Sequence, residues 1–454
     1  LEQAITQEEY ADRWILSDLG KSLRSYQQAL DLYTTALSLD PSLTDAAYNR
    51  LRLLFHVYET YKSVPEKSLR GCEACSVHRF GLEGLLKEYQ CAGWINWECG
   101  YNQVLIHMEV IEQEGITIED IITLTLETVD LIQRILNTQM NELDAFLKRL
   151  EDGETDNDTS EEAEGEGVMY EQVVPSTILD TLIASWRFIF TALESCDTAD
   201  ELRLVNQNTS QLRGDLDQCF DLLVRFDPAN VDPYSLNFKD SEVLELSHMK
   251  ICTESMLILN FEKLVSAWSN YENTTSSRWL AQSDIYTNLM SLNEFTDEQK
   301  WAIASATLQC LKRAQEVLCK ELEEQRREKS AEVSTVVSKI IEVLITRADN
   351  ELLRASLDCY SAHQHRSTLK INSINLLKSG LNYSQGNVGL RESALDKLHR
   401  EKLKREIVIR LLIITKDAVT VEDLQRNLGD FWQEELEELK KNSLYCDLIS
   451  LRGL

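Results

Sequence analysis

Apolar residues recur at three- and four-residue intervals through most of this chain, the period of one face of a helix. Tyr10, Ile15, Leu16 and Leu19 predict a helix over about 7–23. Tyr26, Ala29, Leu30, Tyr33, Ala36 and Leu37 predict a second over 26–39. Asp40-Pro41 ends it, because proline disfavours a helical predecessor and lacks the N–H a helix interior needs. A third begins near Ser42 or Thr44 and carries Ala47, Tyr48, Leu51, Leu54, Phe55 and Tyr58. Further helices are predicted over 80–91, 94–114 and 118–150, the last entered through the capping-box-like Thr117-Ile-Glu-Asp120. After Pro175, the residues Ile178, Leu179, Leu182, Ile183, Trp186, Ile189, Phe190 and Leu193 make one broad apolar stripe that must face a substantial core. Capping boxes at Thr198–Glu201 and Thr296–Gln299 open two more helices. Residues 297–366 read as helical almost throughout, with a polar break at 323–332. Residues 382–389 read as a turn-rich loop, followed by helices over 390–416, after Thr420, and over 430–450.

The stretch 26–50 resembles a tetratricopeptide repeat (TPR). Tyr26, Ala29, Tyr33, Ala36 and Pro41 fall at the aromatic, small, aromatic, small and proline positions of that 34-residue pattern, and Leu16-Ser17 where it usually has Leu-Gly. Leu216, Phe220, Leu223 and Pro228 repeat the same spacing, with leucine at small positions. The resemblance implies an all-α, right-handed superhelical solenoid of antiparallel helix pairs, in which small residues let helices approach and aromatics fill the grooves. Asn49 falls where TPR domains that clamp a chaperone's C-terminal carboxylate carry an asparagine. The clamp positions one repeat away hold Ile15 and Glu83, and a glutamate would repel that carboxylate, so the clamp function is not expected. Asn49 reads instead as a helix-packing residue or a partner contact.

Only 5 prolines and 16 glycines occur among 454 residues, which argues against turn-rich β folds and glycine-looped dinucleotide folds. The segment 151–167 holds nine carboxylates, no basic residue and no large apolar residue, so a disordered acidic loop is expected there. The organisation read from this is N-terminal TPR-like helices over 1–150, the acidic loop over 151–174, and C-terminal helical repeats over 175–454. No run approaches the ~20 apolar residues of a membrane span. The first residues, LEQAITQEEY, lack the basic and apolar regions of a signal peptide. With 11 scattered cysteines, an odd number, reduced thiols in a cytoplasmic or nuclear protein are expected.

Candidate chemistry is sparse. Cys72-x-x-Cys75-x-x-His78, with Cys91 and Cys99, has zinc-type ligands at the wrong spacing, so buried thiols are expected and no metal or other cofactor. His363 and His365 fall about 200° apart on a helix and cannot share an ion there. No nucleophile elbow, metal-binding HExxH or phosphate loop occurs, and no catalytic residue is expected. The basic run Lys397–Arg405 puts Lys397, Arg400 and Lys404 on one face, expected to lie against acidic neighbours. The net charge of −30, from 76 acidic and 46 basic residues, disfavours direct nucleic-acid binding and favours a basic protein partner. The expected function is a non-catalytic scaffold or escort holding a basic client, of ribosomal-protein or histone type, on an acidic concave face. The contact residues expected are Asp31, Asp45, Asn49, Glu59, Asp215, Asp217 and Asp221. The alternative is a constitutive adaptor subunit docking through apolar groove residues. The sequence does not set the oligomeric state.

Overall fold

The computed structural model describes residues 1–151, 173–224, 238–292, 294–386, 388, 392–416 and 418–451. The predicted acidic loop, apart from Glu151 and residues 173–174, lies outside them, as does Pro228 of the second TPR-like stretch. Among the described residues the secondary structure is all helical: α1 Glu2–Ile15, α2 Leu19–Leu39, α3 Thr44–Tyr61, α4 Leu82–Ala92, α5 Trp97–Ile111, α6 Ile118–Glu151, α7 Pro175–Glu194, α8 Ala199–Val224, α9 Asp240–Met256, α10 Phe261–Ser269, α11 Ser276–Leu292, α12 Asp297–Glu328, α13 Val333–Ser356, α14 Tyr360–Gln385, α15 Ala394–Thr415, α16 Val421–Leu428, α17 Trp432–Lys441 and α18 Ser443–Leu451, with short 3₁₀ turns between some of them.

Several helix starts follow from their caps. The Thr296 hydroxyl accepts from the Gln299 N–H at 3.3 Å, and the Gln299 side chain accepts from the Thr296 N–H at 2.9 Å. Thr198 with Glu201 and Thr420 with Asp423 do the same for α8 and α16. Each pair satisfies two backbone donors that the first turn leaves open. Asp40 ends α2 and accepts from the Ser42 N–H at 2.9 Å.

Three predicted boundaries are corrected. The first two helices divide at residues 16–18, not near 24, because Asp18 accepts the Lys21 N–H at 2.9 Å and starts α2 there. The polar break narrows to 329–332: Lys329 takes a left-handed conformation (φ 54°), and the Ser330 N–H turns back to the Gln325 carbonyl at 3.0 Å. At the other end, α14 continues through Gln385, into the predicted loop.

The chain forms two compact units. The first comprises 1–8, 25–63 and 74–259; the second comprises 9–24, 64–73 and 260–454. Both flanks of the acidic segment therefore belong to the first. In that unit α7 is the central helix and packs against α5, α6, α8 and α9. Of the predicted stripe Phe190 is only half-buried, but Ile178, Leu179, Leu182, Ile189 and Leu193 are completely buried, as is Phe188 outside it. At 25 cal/mol per Å², each such side chain contributes roughly 1.5–3 kcal/mol.

In the second unit α13 is central and packs against α12, α14, α15 and α18. Only three residues link α13 to α14, so the two run antiparallel. Small buried residues permit their close approach: Ser334, Ser338 and Ala348 on α13, and Ala362, Ser373, Gly380 and Ser384 on α14. A Cβ added at Gly380 would lie 2.9 Å from Ile407 Cδ1 and 3.7 Å from Leu344 Cβ, so α15 also seats on this bare backbone. A polar group, half-buried at Asp349 and Arg410 and buried at Tyr445, ties down α18. Arg410 of α15 pairs with Asp349 of α13 at 3.3 Å, and the Tyr445 hydroxyl donates to Asp349 at 2.5 Å.

Candidate binding cleft

In the first unit α6 and α8 pack together and leave a cleft of about 320 Å³ between them. Gln133, Leu136, Asn137 and Met140 line it from α6, and Asp215, Gln218, Cys219 and Leu222 from α8. The helical period explains the set. Positions 133, 136, 137 and 140 share one face of α6, and 215, 218, 219 and 222 share one face of α8. Beneath it, Ile132 and Ile135 of α6 and Leu212 and Leu216 of α8 are buried. Asn137, Gln218 and Leu222 are exposed and open the cleft to solvent.

Asp215 carries the charge of the cleft. It accepts from the Gln133 amide at 3.1 Å and from the Gln211 amide at 2.8 Å. Neither donor is charged, and among the described residues no basic side chain lines the cleft. Burial pushes the Cys219 thiol up to about 11, so it stays protonated and unreactive at neutral pH.

The structure places the other expected contact residues as follows. Asp217 lies about 200° round α8 from Asp215 and pairs with Lys250 of α9 at 2.6 Å. Asp221, one turn beyond Asp217 on the same face, is exposed. Asp31 is exposed on α2 and accepts from Gln27 at 2.9 Å. Asp45 and Glu59 sit near opposite ends of α3, 14 residues or about 21 Å apart along its axis. Partial desolvation raises the Glu59 carboxyl, with Glu109 adding to the shift and Lys62 opposing it. Asn49 is half-buried on α3, and among the described residues its side chain makes no hydrogen bond.

The motifs set aside from chemistry are also located. Cys72 is buried, and its thiol donates to the Gly20 carbonyl at 3.2 Å. Among the described residues no three His, Cys, Asp or Glu side chains gather as a metal-ligand set. Three members of the basic run on α15 are tied into ion pairs: Arg400 with Glu392 at 2.8 Å, Lys404 with Glu401 at 3.3 Å, and Arg405 with Glu435 at 2.7 Å; Lys397 and Lys402 are not paired among the described residues. No helix among the described residues is long and apolar enough to cross a membrane.

One feature escaped the reading of the sequence. The first unit holds 42 Asp and Glu against 14 Lys and Arg, a net charge of −28; the second holds 34 against 32, a net charge of −2. Nearly the whole charge excess therefore belongs to one unit. Counting charges along the chain would have revealed it: residues 1–259 sum to −28, and 260–454 to −2.

A family profile described as "YNL193W C-terminal domain" matches residues 272–448. That range falls inside the second, nearly neutral unit. Across the longer chain there is similarity to a protein of Saccharomyces cerevisiae described as "Uncharacterized protein YNL193W". It is 22% identical over 497 residues, covering 91% of this chain and 88% of the yeast protein. No solved structure matches.

Proposed function

We propose that this chain is a non-catalytic protein-binding scaffold or escort, whose first unit holds a basic client protein on an acidic helical surface. The observation that carries this is the division of charge, −28 on one unit and −2 on the other; residues 152–172 and 225–237 contribute −10 of the −28, and the described residues of the first unit carry the remaining −18. Solubility alone does not call for such a division. Concentrated on one unit, the acidity builds a field that draws and orients a cationic partner.

The TPR-like solenoid belongs to the same proposal. Support comes from Tyr26, Ala29 and Tyr33, all completely buried. The Tyr26 ring meets His56 and Tyr61 of α3 edge-on, as a groove-filling aromatic should. Ala36 is only half-buried, and the backbones of α2 and α3 do not run close together, so this pair is looser than a regular repeat.

A second reading, the constitutive adaptor, draws on apolar residues of the first unit that stand open: Leu126, Leu204, Leu222, Val224 and Leu244, each 41–57% exposed. Affinity capture with the tagged full chain separates the two. Bound proteins are washed at about 0.05 and then about 0.5 M salt, across which exposed charge pairs become screened. The escort reading expects basic proteins that leave at the higher salt. A stoichiometric partner that stays bound throughout would favour the adaptor.

A further inference from the structure

We propose that the α6/α8 cleft is a subsite for one arginine side chain of the client. The inference rests on the escort reading above and adds to it a place and a ligand chemistry. At about 320 Å³ the cleft is at the small end of ligand sites, sized for a side chain and too small for a helix or a sheet edge. Its lining is divided in the manner a guanidinium on an aliphatic stem requires. Leu136, Met140 and Leu222 offer apolar wall to the methylenes and to the flat face of the group. Asp215 offers a carboxylate, and the amide oxygens of Asn137 and Gln218 offer further acceptors.

The charge balance points the same way. Asp215 is held by two neutral amides, and among the described residues no cation pairs with it. A bound guanidinium would supply that charge through a charge-assisted hydrogen bond, about twice as strong as a neutral one. Arginine fits better than lysine because its planar fork offers five donors in a geometry matched to a carboxylate, against the three of a compact ammonium. It is also more weakly hydrated than an ammonium, so it gives up less water on entering a half-apolar cleft.

The test uses the full chain and a fluorescent hexa-arginine peptide, with hexa-lysine as comparison, titrated at low salt. Asp215→Asn removes the cleft charge. Asp221→Asn removes the same charge from an exposed position on the same helix. Asn137→Phe narrows the cleft from its exposed rim with no change of charge. The inference expects hexa-arginine affinity to fall about tenfold in Asp215→Asn and in Asn137→Phe, and less than twofold in Asp221→Asn. It also expects hexa-lysine to lose less than hexa-arginine at Asp215→Asn. Equal small losses in both charge variants, with Asn137→Phe unchanged, would overturn the subsite while leaving the acidic-surface reading standing. Failure of the wild-type chain to bind either peptide at low salt would overturn both. Circular dichroism of each variant shows whether a loss comes from unfolding, and Asn137→Phe and Asp215→Asn supply independent routes to the same conclusion.

Discussion

His107 should make the first unit sensitive to acid, by an amount that can be worked out. Its side chain is completely buried between α5 and α6. The Gln103 amide nitrogen, 3.4 Å from Nε2, can only donate, so Nε2 is the acceptor and the proton sits on Nδ1. Nδ1–H then donates to the Thr128 hydroxyl at 2.7 Å, and that hydroxyl donates to the Leu124 carbonyl at 2.6 Å. Each atom has its partner only while the imidazole is neutral. Burial accordingly lowers the pKa from 6.5 to about 4. An unfolded chain takes up the proton near 6.5, and the folded chain resists until about 4. The unfolded state therefore binds more protons in this window, and stability falls as pH falls through it. At 1.36 kcal/mol per pKa unit the full loss is roughly 3 kcal/mol, of which about 2.5 kcal/mol accrues between pH 7.5 and 4.5. The assay is urea unfolding of the wild type and of His107→Gln at both pH values. The many carboxylates titrate equally in both proteins, so the difference between them isolates His107. The wild type should lose about 2.5 kcal/mol more than the variant on going to pH 4.5. Parallel losses would show that the imidazole is solvated or already charged in the fold, and the reasoning would fail.

Arg410→Met should cost about 1–3 kcal/mol, because it leaves the half-buried Asp349 carboxylate without its cation; adding Asp349→Asn should restore part of the loss in a denaturant-measured double-mutant cycle. Ala29→Leu should overpack a completely buried site and cost about 1–3 kcal/mol, whereas Ala36→Leu, at a half-buried site, should cost less; thermal melts of both variants compare them directly. Thr296→Ala removes one half of the α12 capping box and should lower stability by about 1 kcal/mol, read from the urea midpoint.

What the sequence makes legible here is whatever local chemistry decides. The threonine caps at 198, 296 and 420 mark helix starts because the hydroxyl and the carboxylate or amide three residues on are both visible in the chain. The stripe on α7 announces a central helix because its apolar positions extend round most of the surface. The misses come where tertiary packing overrides the local signal. Leu16 carries on the helical spacing of its neighbours, yet it is 64% exposed in the α1–α2 link, where its carbonyl accepts the Ala394 N–H at 3.0 Å. No residue of sequence near Leu16 encodes that distant donor. The break between α13 and α14 at 357–359 contains neither proline nor glycine, so nothing punctuates it. Lys329 adopts a left-handed turn that usually falls to glycine. In the cleft, Asp215 was accessible from sequence as an acidic residue beside the second TPR-like stretch. Its partners on α6 were not, since Gln133 lies 82 residues away.

A basic client that meets the first unit should shield that unit's helices and leave the second open. Hydrogen exchange of the full chain with and without a saturating lysine- and arginine-rich peptide tests both parts at once. Exchange should slow at α2, α3, α6 and α8 and recover at about 0.5 M salt, with 276–451 unaffected. Protection centred on 276–451, or protection of the first unit that persists unchanged at high salt, would contradict it.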